Sequence, residues 1–131
     1  MDKLLNAFIK AKQLHKNGKV REAQKIYLKL LSKIKNNFQL YFLLGTSFLQ
    51  TKKYNKAIFF LEISEKINSD FADTYNNKGV AYAELNKYED ALINYNRALK
   101  LNSNFFDALL NKGIALKNLK QYENSRKILE E

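Results

Sequence analysis

The residue types that most often perform chemistry are scarce in this sequence of 131 residues. Cysteine is absent and His15 is the single histidine, which excludes a disulfide scaffold, a thiolate zinc site and a paired-histidine metal site. Glu89 and Asp90 are adjacent acids at the predicted start of a helix, where they favour its dipole and point in different directions. The four glycines stand alone, so a glycine-rich phosphate loop is excluded. We therefore predict no enzymatic activity, no metal and no cofactor, with His15 at the surface or in a minor polar contact.

Length and composition indicate one globular, mainly helical domain over residues 1–131. The sequence is 46% apolar and 27% charged and contains no proline. This balance is typical of folded, soluble chains rather than disordered ones. No apolar run reaches the roughly 18 residues that a membrane span needs, and no signal-peptide core follows the first residues. We expect a cytoplasmic protein without a membrane span.

A repeat of 34 residues organises this domain. The spacing separates three tyrosines and, independently, three glycines: Tyr54, Tyr88 and Tyr122, and Gly45, Gly79 and Gly113. The repeat units are expected near residues 4–37, 38–71, 72–105 and 106–131, with the last unit incomplete. Apolar residues recur within each unit at helical rather than alternating spacing. We therefore predict eight helices, near 3–16, 19–34, 38–51, 54–67, 72–85, 88–101, 106–119 and 122–130.

Aromatic and small residues hold fixed offsets within the units, most completely in the third, which has Tyr75, Gly79, Tyr82, Tyr88, Ala91, Tyr95 and Ala98. This pattern closely resembles that of the tetratricopeptide repeat (TPR) family. The resemblance implies an all-α fold, a right-handed superhelix of about four helix–turn–helix repeats that bury their apolar faces only against neighbours. The opening stretch, residues 12–23, also resembles the start of the arrays that precede bacterial glycosyltransferases and sulfotransferases.

The resemblance implies that a partner binds in the concave groove formed by the first helix of each repeat. Asn77 and Asn111 hold one repeat position there, and their amides can bond an extended peptide backbone or remain solvated polar groups. Phe8 and Phe42 can line an apolar part of the groove or pack between repeats. The predicted partner-binding residues are Phe8, Lys12, Phe42, Thr46, Asn76, Asn77, Val80, Asn111 and Ile114.

Two acids in this groove bear on which peptide it accepts. Family members that bind the C-termini of chaperones hold an acidic tail with positively charged residues at set groove positions. Asp73 and Asp107 occupy such positions in this sequence. The resemblance therefore implies that an acidic C-terminal tail is not the preferred ligand.

Positive charge is concentrated in the first unit. Residues 1–37 carry nine lysines and one arginine against two acids, whereas the whole sequence has a net charge of +10. Four of these cations recur every four residues and form one stripe on the predicted second helix: Arg21, Lys25, Lys29 and Lys33. The stripe is either a solvated outer face or a docking strip for an acidic partner, nucleic acid or an anionic surface.

These observations predict a protein–protein interaction scaffold that binds a partner peptide or helix in its groove. Two alternatives stay open: an N-terminal recognition module of a larger bacterial transferase, and an adaptor that docks acidic partners or nucleic acid through the basic first repeat. The last repeat lacks a capping helix, so we expect a partly open apolar surface at Leu109, Leu116, Leu119 and Ile128. Either the array continues, or copies of the chain pair through this uncapped C-terminal repeat as a homo-oligomer.

Overall fold

The computed structural model describes residues 2–130, and the ends of the predicted domain, Met1 and Glu131, lie outside the described residues. Within this part the fold is all-α, as predicted, with seven helices in an array of helical repeats. The helices are α1 (Lys3–Lys16), α2 (Val20–Leu30), α3 (Phe38–Gln50), α4 (Tyr54–Ile67), α5 (Ala72–Glu84), α6 (Tyr88–Leu101) and α7 (Phe106–Glu130). Across residues 2–130, no helix combines the length and the apolar character that crossing a membrane would need.

The chain forms two compact units, Met1–Ser69 and Asp70–Glu131. The first contains α1 to α4 and the second contains α5 to α7. Within the first unit α1 packs on α2 and α3 on α4, while α2 also contacts α3. Within the second unit α5 packs on α6, and α6 packs on α7. The three helix pairs predicted for the first three repeats are therefore present.

Two helix caps and one glycine turn determine where α1 and α3 begin and where the chain reverses between α1 and α2. Asp2 and Asn37 begin α1 and α3, because their side-chain oxygens accept hydrogen bonds from the backbone N–H groups of Leu4 (2.9 Å) and Leu40 (3.2 Å). Gly18 reverses the chain between α1 and α2 with a φ of 85°, a left-handed conformation that glycine adopts readily. The core of this unit includes the fully buried side chains of Ala11, Ala23, Tyr27, Leu40, Leu44, Ala57 and Leu61.

α2 ends at Leu30, four residues before the predicted end at residue 34, so this boundary is corrected. The backbone tightens here, because the N–H groups of Lys33 (3.0 Å) and Ile34 (2.8 Å) both donate to the carbonyl oxygen of Leu30. The turn brings the half-buried side chain of Ile34 against the core of the unit. Asn36 then takes a left-handed φ of 54° that a continuing helix does not allow.

In the second unit, Gly79 marks a close approach of α5 and α6. A Cβ atom at Gly79 would lie 2.6 Å from Cδ1 of Tyr95, which is nearer than carbon atoms pack. Tyr95 is buried in a cluster with Ala91 and Ala115. The glycine of the 34-residue pattern therefore lets the ring of Tyr95 lie against the backbone of α5.

α7 runs without interruption from Phe106 to Glu130, so the two helices predicted near 106–119 and 122–130 are corrected to one. In the repeat before it, the second helix folds back because Ala91 and Tyr95 become buried. The corresponding residues after the predicted turn are Ser125 and Leu129. A helix that folded back here would place the hydroxyl of Ser125 at the fully buried position of Ala91, whereas a continuous helix keeps the backbone hydrogen bonds that a turn would interrupt.

The apolar surface expected on the last repeat is open. Leu109, Leu116 and Ile128 are exposed, while Leu119 is half-buried. Only Ala108 and Ala115 of α7 are buried among the residues that the structure describes. The long helix therefore contributes one narrow stripe of small residues to the core of the second unit.

Candidate binding surface

α5 and α7, the first helices of consecutive repeats, contact each other within the second unit. Asn76 is only 7% exposed, and its Oδ1 accepts a hydrogen bond of 3.2 Å from Nδ2 of Asn111. This bond orients the amide of Asn111, whose own Oδ1 is then available as an acceptor. About one helical turn further along, Val80 on α5 and Ile114 on α7 hold one repeat position, and both side chains are aliphatic.

Beside this contact, residues of α5, α6 and α7 line an open cavity of about 360 Å³. Its size falls in the range of clefts that bind ligands or side chains. Three of the predicted partner-binding residues, Val80, Asn111 and Ile114, converge on it. The other lining residues are Ala83, Glu84, Asn86, Tyr88, Tyr95, Ala115 and Asn118.

The sequence-based prediction missed several of these residues, although one signal marks two of them. Glu84 and Asn118 are 34 residues apart, and each lies one helical turn after Val80 or Ile114. Extending the predicted row by one turn on each helix would have found both. Asn86 lies in the turn after α5 with a φ of 61°, which no periodic pattern indicates.

Amide and hydroxyl groups and one carboxylate are the polar groups that line the cavity. Glu84 is its single charged lining residue. Burial, together with the charge of Glu84, raises the pKa of Tyr95 to about 12, so the Tyr95 hydroxyl keeps its proton at neutral pH. The hydroxyl of Tyr88 donates to Oδ1 of Asn86 at 2.8 Å. A group entering the cavity therefore meets a carboxylate, amides and hydroxyls beside aliphatic walls.

Two further acids lie near the beginnings of the same helices. Partial burial, and secondarily the charge of Asp107, raises the pKa of Asp73 above its usual value. The two carboxylates of one repeat position thus influence each other electrostatically. Negative charge is therefore present towards both ends of α5, at Asp73 and at Glu84.

Three family models describe the repeats. They match residues 38–71, 72–105 and 94–127, and each describes a tetratricopeptide repeat. Together the matches cover residues 38–127, and the first two, 38–71 and 72–105, coincide with the predicted second and third units. The third match, 94–127, begins within α6 rather than at the predicted start of the fourth unit. This chain is a tetratricopeptide repeat protein. A comparison with curated protein sequences finds no match.

Solved structures of other TPR proteins share the fold. The first TPR domain of human RPAP3 is 27% identical, with a TM-score of 0.86 over 93% of this chain and 96% of that one. The first TPR of Spaghetti (RPAP3), bound to the HSP90 peptide SRMEEVD, is 26% identical, with a TM-score of 0.85 over 90% and 94% of the two chains. MamA is 18% identical, with a TM-score of 0.86 over 98% of this chain and 70% of that one.

One further TPR structure belongs to an enzyme. A mutant O-GlcNAc transferase from Thermobaculum terrenum is 18% identical, with a TM-score of 0.81. The match covers 86% of this chain but 22% of the transferase chain. At this identity the similarity concerns the fold of the TPR array.

The TPR positions predicted to bind a partner in the first unit differ in exposure. Phe8 is 6% exposed and packs edge-to-face on Tyr27, with a distance of 6.3 Å between the ring centroids. Nζ of Lys12 lies 5.0 Å from the ring centroid of Phe8. Phe42 and Thr46 are half-buried, and Phe42 packs against the core. Phe8 and, in the second unit, Asn76 are buried and present little surface, and their part in partner binding stays a prediction.

The basic stripe of the first TPR is exposed, but it is shorter on the helix than predicted. Arg21, Lys25 and Lys29 lie on α2, whereas Lys33 lies in the turn after it. Because α2 ends at Leu30, the four cations do not share one continuous helix face. All four side chains are exposed to solvent.

His15 makes polar contacts within the first unit. Its Nδ1 lies 3.0 Å from the hydroxyl of Tyr27, and its Nε2 lies 2.6 Å from Oε1 of Gln50. The imidazole thereby connects α1 with α2 and α3, a polar contact, which is one of the two outcomes that the sequence left open for His15. Residues 2–130 contain no group of three or more His, Asp or Glu side chains that could hold a metal ion.

Proposed function

We propose that this TPR protein is a protein–protein interaction scaffold and that a peptide or helix of the partner lies along α5 and α7. The observation that carries this proposal is the cavity of about 360 Å³, because three residues predicted independently from the repeat pattern line it together. The HSP90 peptide bound to the similar TPR of Spaghetti (RPAP3) supports binding of a peptide.

Binding is proposed to follow from the geometry of the repeat. A TPR helix pair buries its apolar residues against its neighbours and leaves the first helices accessible. Val80 and Ile114 offer aliphatic surface, and Ile114 is 51% exposed. Oδ1 of Asn111 can accept a hydrogen bond from the N–H of an extended partner backbone. Such contacts recognise a backbone and small apolar groups without demanding one sequence.

The proposed peptide differs in charge from the HSP90 peptide. SRMEEVD ends in acidic residues, whereas Asp73 and Asp107 lie at the beginnings of α5 and α7 in this chain. Like charges that face each other across an interface disfavour binding. We therefore expect this chain to bind SRMEEVD weakly, despite the common fold.

A displayed library of random 12-residue peptides, selected against the immobilised full chain, tests the proposal. The peptides that are recovered should bind in solution, as measured by fluorescence anisotropy. Ile114→Ala removes aliphatic surface that a partner would cover, and we expect a loss of about 1 kcal/mol, or roughly fivefold in Kd. SRMEEVD serves as the acidic comparison peptide.

Ile93→Ala is the matched control for this experiment. Ile93 lies on α6, in the same unit, and is also 51% exposed, but it does not line the cavity. Its replacement removes the same atoms and should leave the peptide affinity unchanged. Equal losses for the two variants, or no recovered peptide that binds in solution, would contradict the proposal.

A second candidate function concerns the first unit. The exposed cations Arg21, Lys25 and Lys29 on α2 support an adaptor that docks acidic proteins or nucleic acid. If phosphates bind there, affinity for a 30-base-pair DNA duplex should fall steeply between 50 and 200 mM salt. Replacing the three cations by glutamine should remove this salt dependence, and a flat salt dependence in the parent chain would exclude the candidate.

A third proposal is that the repeats serve as the recognition module of a larger bacterial transferase. Its support is the fold shared with the array of the Thermobaculum terrenum transferase. The full reading frame that encodes this chain tests it. A downstream catalytic domain is the expected result, and a reading frame without one would overturn the proposal.

A further inference from the structure

We propose that copies of this chain associate head to tail, with the end of α7 of one copy lying over Gly113 on α7 of the next. The surface that receives the end of α7, here called the notch, consists of Leu109, Gly113 and Leu116, which lie on one side of α7. The two leucines are about half exposed, and a Cβ atom at Gly113 would meet no atom within 4 Å outside the local helix backbone. None of the three residues lines the cavity, so the inference goes beyond the proposed function.

The second repeat shows how a notch of this kind is covered. Leu61 of α4 lies over Gly45 of α3, because a Cβ atom at Gly45 would be 2.8 Å from Cγ of Leu61. The adjacent ring of Phe60 stacks on Tyr41 and Phe48, with distances of 6.4 and 5.5 Å between the ring centroids. The cover is therefore a helix that carries two neighbouring large apolar side chains. Two repeats later, the residues at the positions of Gly45, Tyr41, Phe48, Phe60 and Leu61 are Gly113, Leu109, Leu116, Ile128 and Leu129.

The end of α7, residues 122–130 and here called the tail, cannot cover the notch of its own copy. Because α7 is uninterrupted, Leu129 lies about 24 Å along the helix from Gly113. At about 100° per residue, Leu129 also points about 160° away from Gly113 around the helix axis. Ile128 and Leu129 are 71% and 86% exposed, so the tail leaves its apolar side chains uncovered. The occupant that we propose is therefore the tail of a second copy, which carries apolar residues at the two covering positions.

The directions of the notch and the tail determine the form of the assembly. In a closed two-fold pair, the notch and the tail of one copy would both have to face the same partner helix. They point to nearly opposite sides of α7, so each copy receives a tail on one side and offers its own tail on the other. Such a contact does not close between two copies, and assemblies of three or more copies can grow.

The head-to-tail contact is expected to be weak. The tail has about two to three helical turns, which gives a contact at the small end of specific interfaces. Ser125 would also place a hydroxyl where Ala57 is fully buried in the second repeat, which costs free energy. We expect a Kd of roughly 0.1–1 mM. At about 5 μM the chain is then a monomer, and unfolding at that concentration reports on the single copy.

Two variants that each lose one half of the contact test this inference. Gly113→Gln fills the notch, and Leu129→Lys places a charge on the tail. In sedimentation equilibrium at about 1 mM, the parent chain should have a weight-average mass above that of two chains, whereas each variant alone should remain monomeric. An equimolar mixture of the variants should form 1:1 complexes and nothing larger, because the Leu129→Lys copy keeps its notch and the Gly113→Gln copy keeps its tail.

Two controls separate the contact from effects on charge and folding. Ile9→Lys adds the same charge as Leu129→Lys at an exposed position of α1 and should leave the growth of mass unchanged. Urea unfolding at about 5 μM, followed by circular dichroism, measures the stability of the single copy. Gly113→Gln should not lower this stability, because no atom outside the local helix backbone lies within 4 Å of the added Cβ atom.

Several outcomes would overturn the head-to-tail contact. A parent chain that stays monomeric at about 1 mM, or whose mass stops at two chains, would contradict it. So would a mixture of the two variants that stays monomeric, or continued growth of mass in either variant alone. A loss of stability in Gly113→Gln at about 5 μM would show that the notch is already covered within one copy, and the proposal would then be wrong.

Discussion

Alanine substitutions at Gly79 and Gly113 should affect stability differently, although both glycines hold the same repeat position. A Cβ atom at Gly79 would lie 2.6 Å from Cδ1 of Tyr95, so the buried ring must move by about 1 Å to reach ordinary contact. Overpacking of this kind costs about 1–3 kcal/mol. A Cβ atom at Gly113 would have no neighbouring atom within 4 Å outside the local helix backbone.

Both substitutions gain the helix preference of alanine over glycine, about 1 kcal/mol. The difference between the two variants therefore isolates the overpacking cost, and Gly113→Ala should exceed Gly79→Ala in unfolding free energy by about 1–3 kcal/mol. Urea unfolding of the full chain, followed by circular dichroism, measures the overall effect. Amide hydrogen exchange in α7 measures the local one, because repeat arrays need not unfold in a single step.

Gly45→Ala provides an intermediate control. Its Cβ atom would lie 2.8 Å from Cγ of the buried Leu61 and 3.2 Å from the carbonyl oxygen of Ala57, a smaller overlap than the one at Gly79. The expected order of stability is therefore Gly113→Ala, then Gly45→Ala, then Gly79→Ala. A loss of unfolding free energy in Gly113→Ala as large as that in Gly79→Ala would refute the reasoning, because a loss of that size would require a further helix packed on α7. The uninterrupted helix Phe106–Glu130 would then be wrong.

Three more perturbations test separate parts of the structure. The pKa of Asp73 is raised in the folded state, so its ionised form lowers stability at neutral pH. Asp73→Asn should therefore raise Tm at pH 7 and change Tm little at pH 3, which is below the pKa of about 3.9 that an unfolded aspartate has. An equal change of Tm at the two pH values would refute the effect. Asn111→Ala removes the partner of the buried Asn76 and should cost about 1 kcal/mol in urea unfolding, whereas unchanged stability would show that the bond is not formed in solution. Pairing of copies through the exposed Ile128 and Leu129 predicts a mass in light scattering that rises with concentration and stays monomeric in Leu129→Lys, and a strict monomer up to about 1 mM would exclude it.

The 34-residue period predicted the paired helices of the first three repeats because the residues that recur with this period are the ones that must be buried. Gly79 and Ala91 are small since helices meet there, and Tyr95 is large since it fills the space between them. Such constraints act within one repeat and recur in the next. They can therefore be read from spacing alone.

The ends of helices depended on energies that spacing does not contain. α2 ends at Leu30 because the following turn buries part of Ile34, which is a balance between backbone bonds and packing. α7 continues to Glu130 even though Tyr122 keeps the repeat spacing, because Ser125 would place a hydroxyl at the buried position that Ala91 holds in the repeat before it. A repeated spacing marks where a helix can begin, but the groups that would be buried decide whether the chain folds back.

The sequence predicted part of the candidate site, because residues in one row along a helix can be read from their spacing. Val80, Asn111 and Ile114 line the cavity because they follow the helical row of the repeat. Phe8 and Asn76 share one repeat position, and both are buried, because side chains from neighbouring helices cover them. Exposure of a residue on a helix depends on what the next helix places over it, which one helical row does not specify.

The claim that a partner binds along α5 and α7 is tested most directly by mapping a selected 12-residue peptide on the full ¹⁵N-labelled chain. We expect the largest amide shifts around Val80, Asn111 and Ile114, and we expect Ile114→Ala to reduce these shifts at equal peptide concentration. Shifts confined to the exposed cations of α2, or to the far end of α7 beyond residue 121, would contradict it.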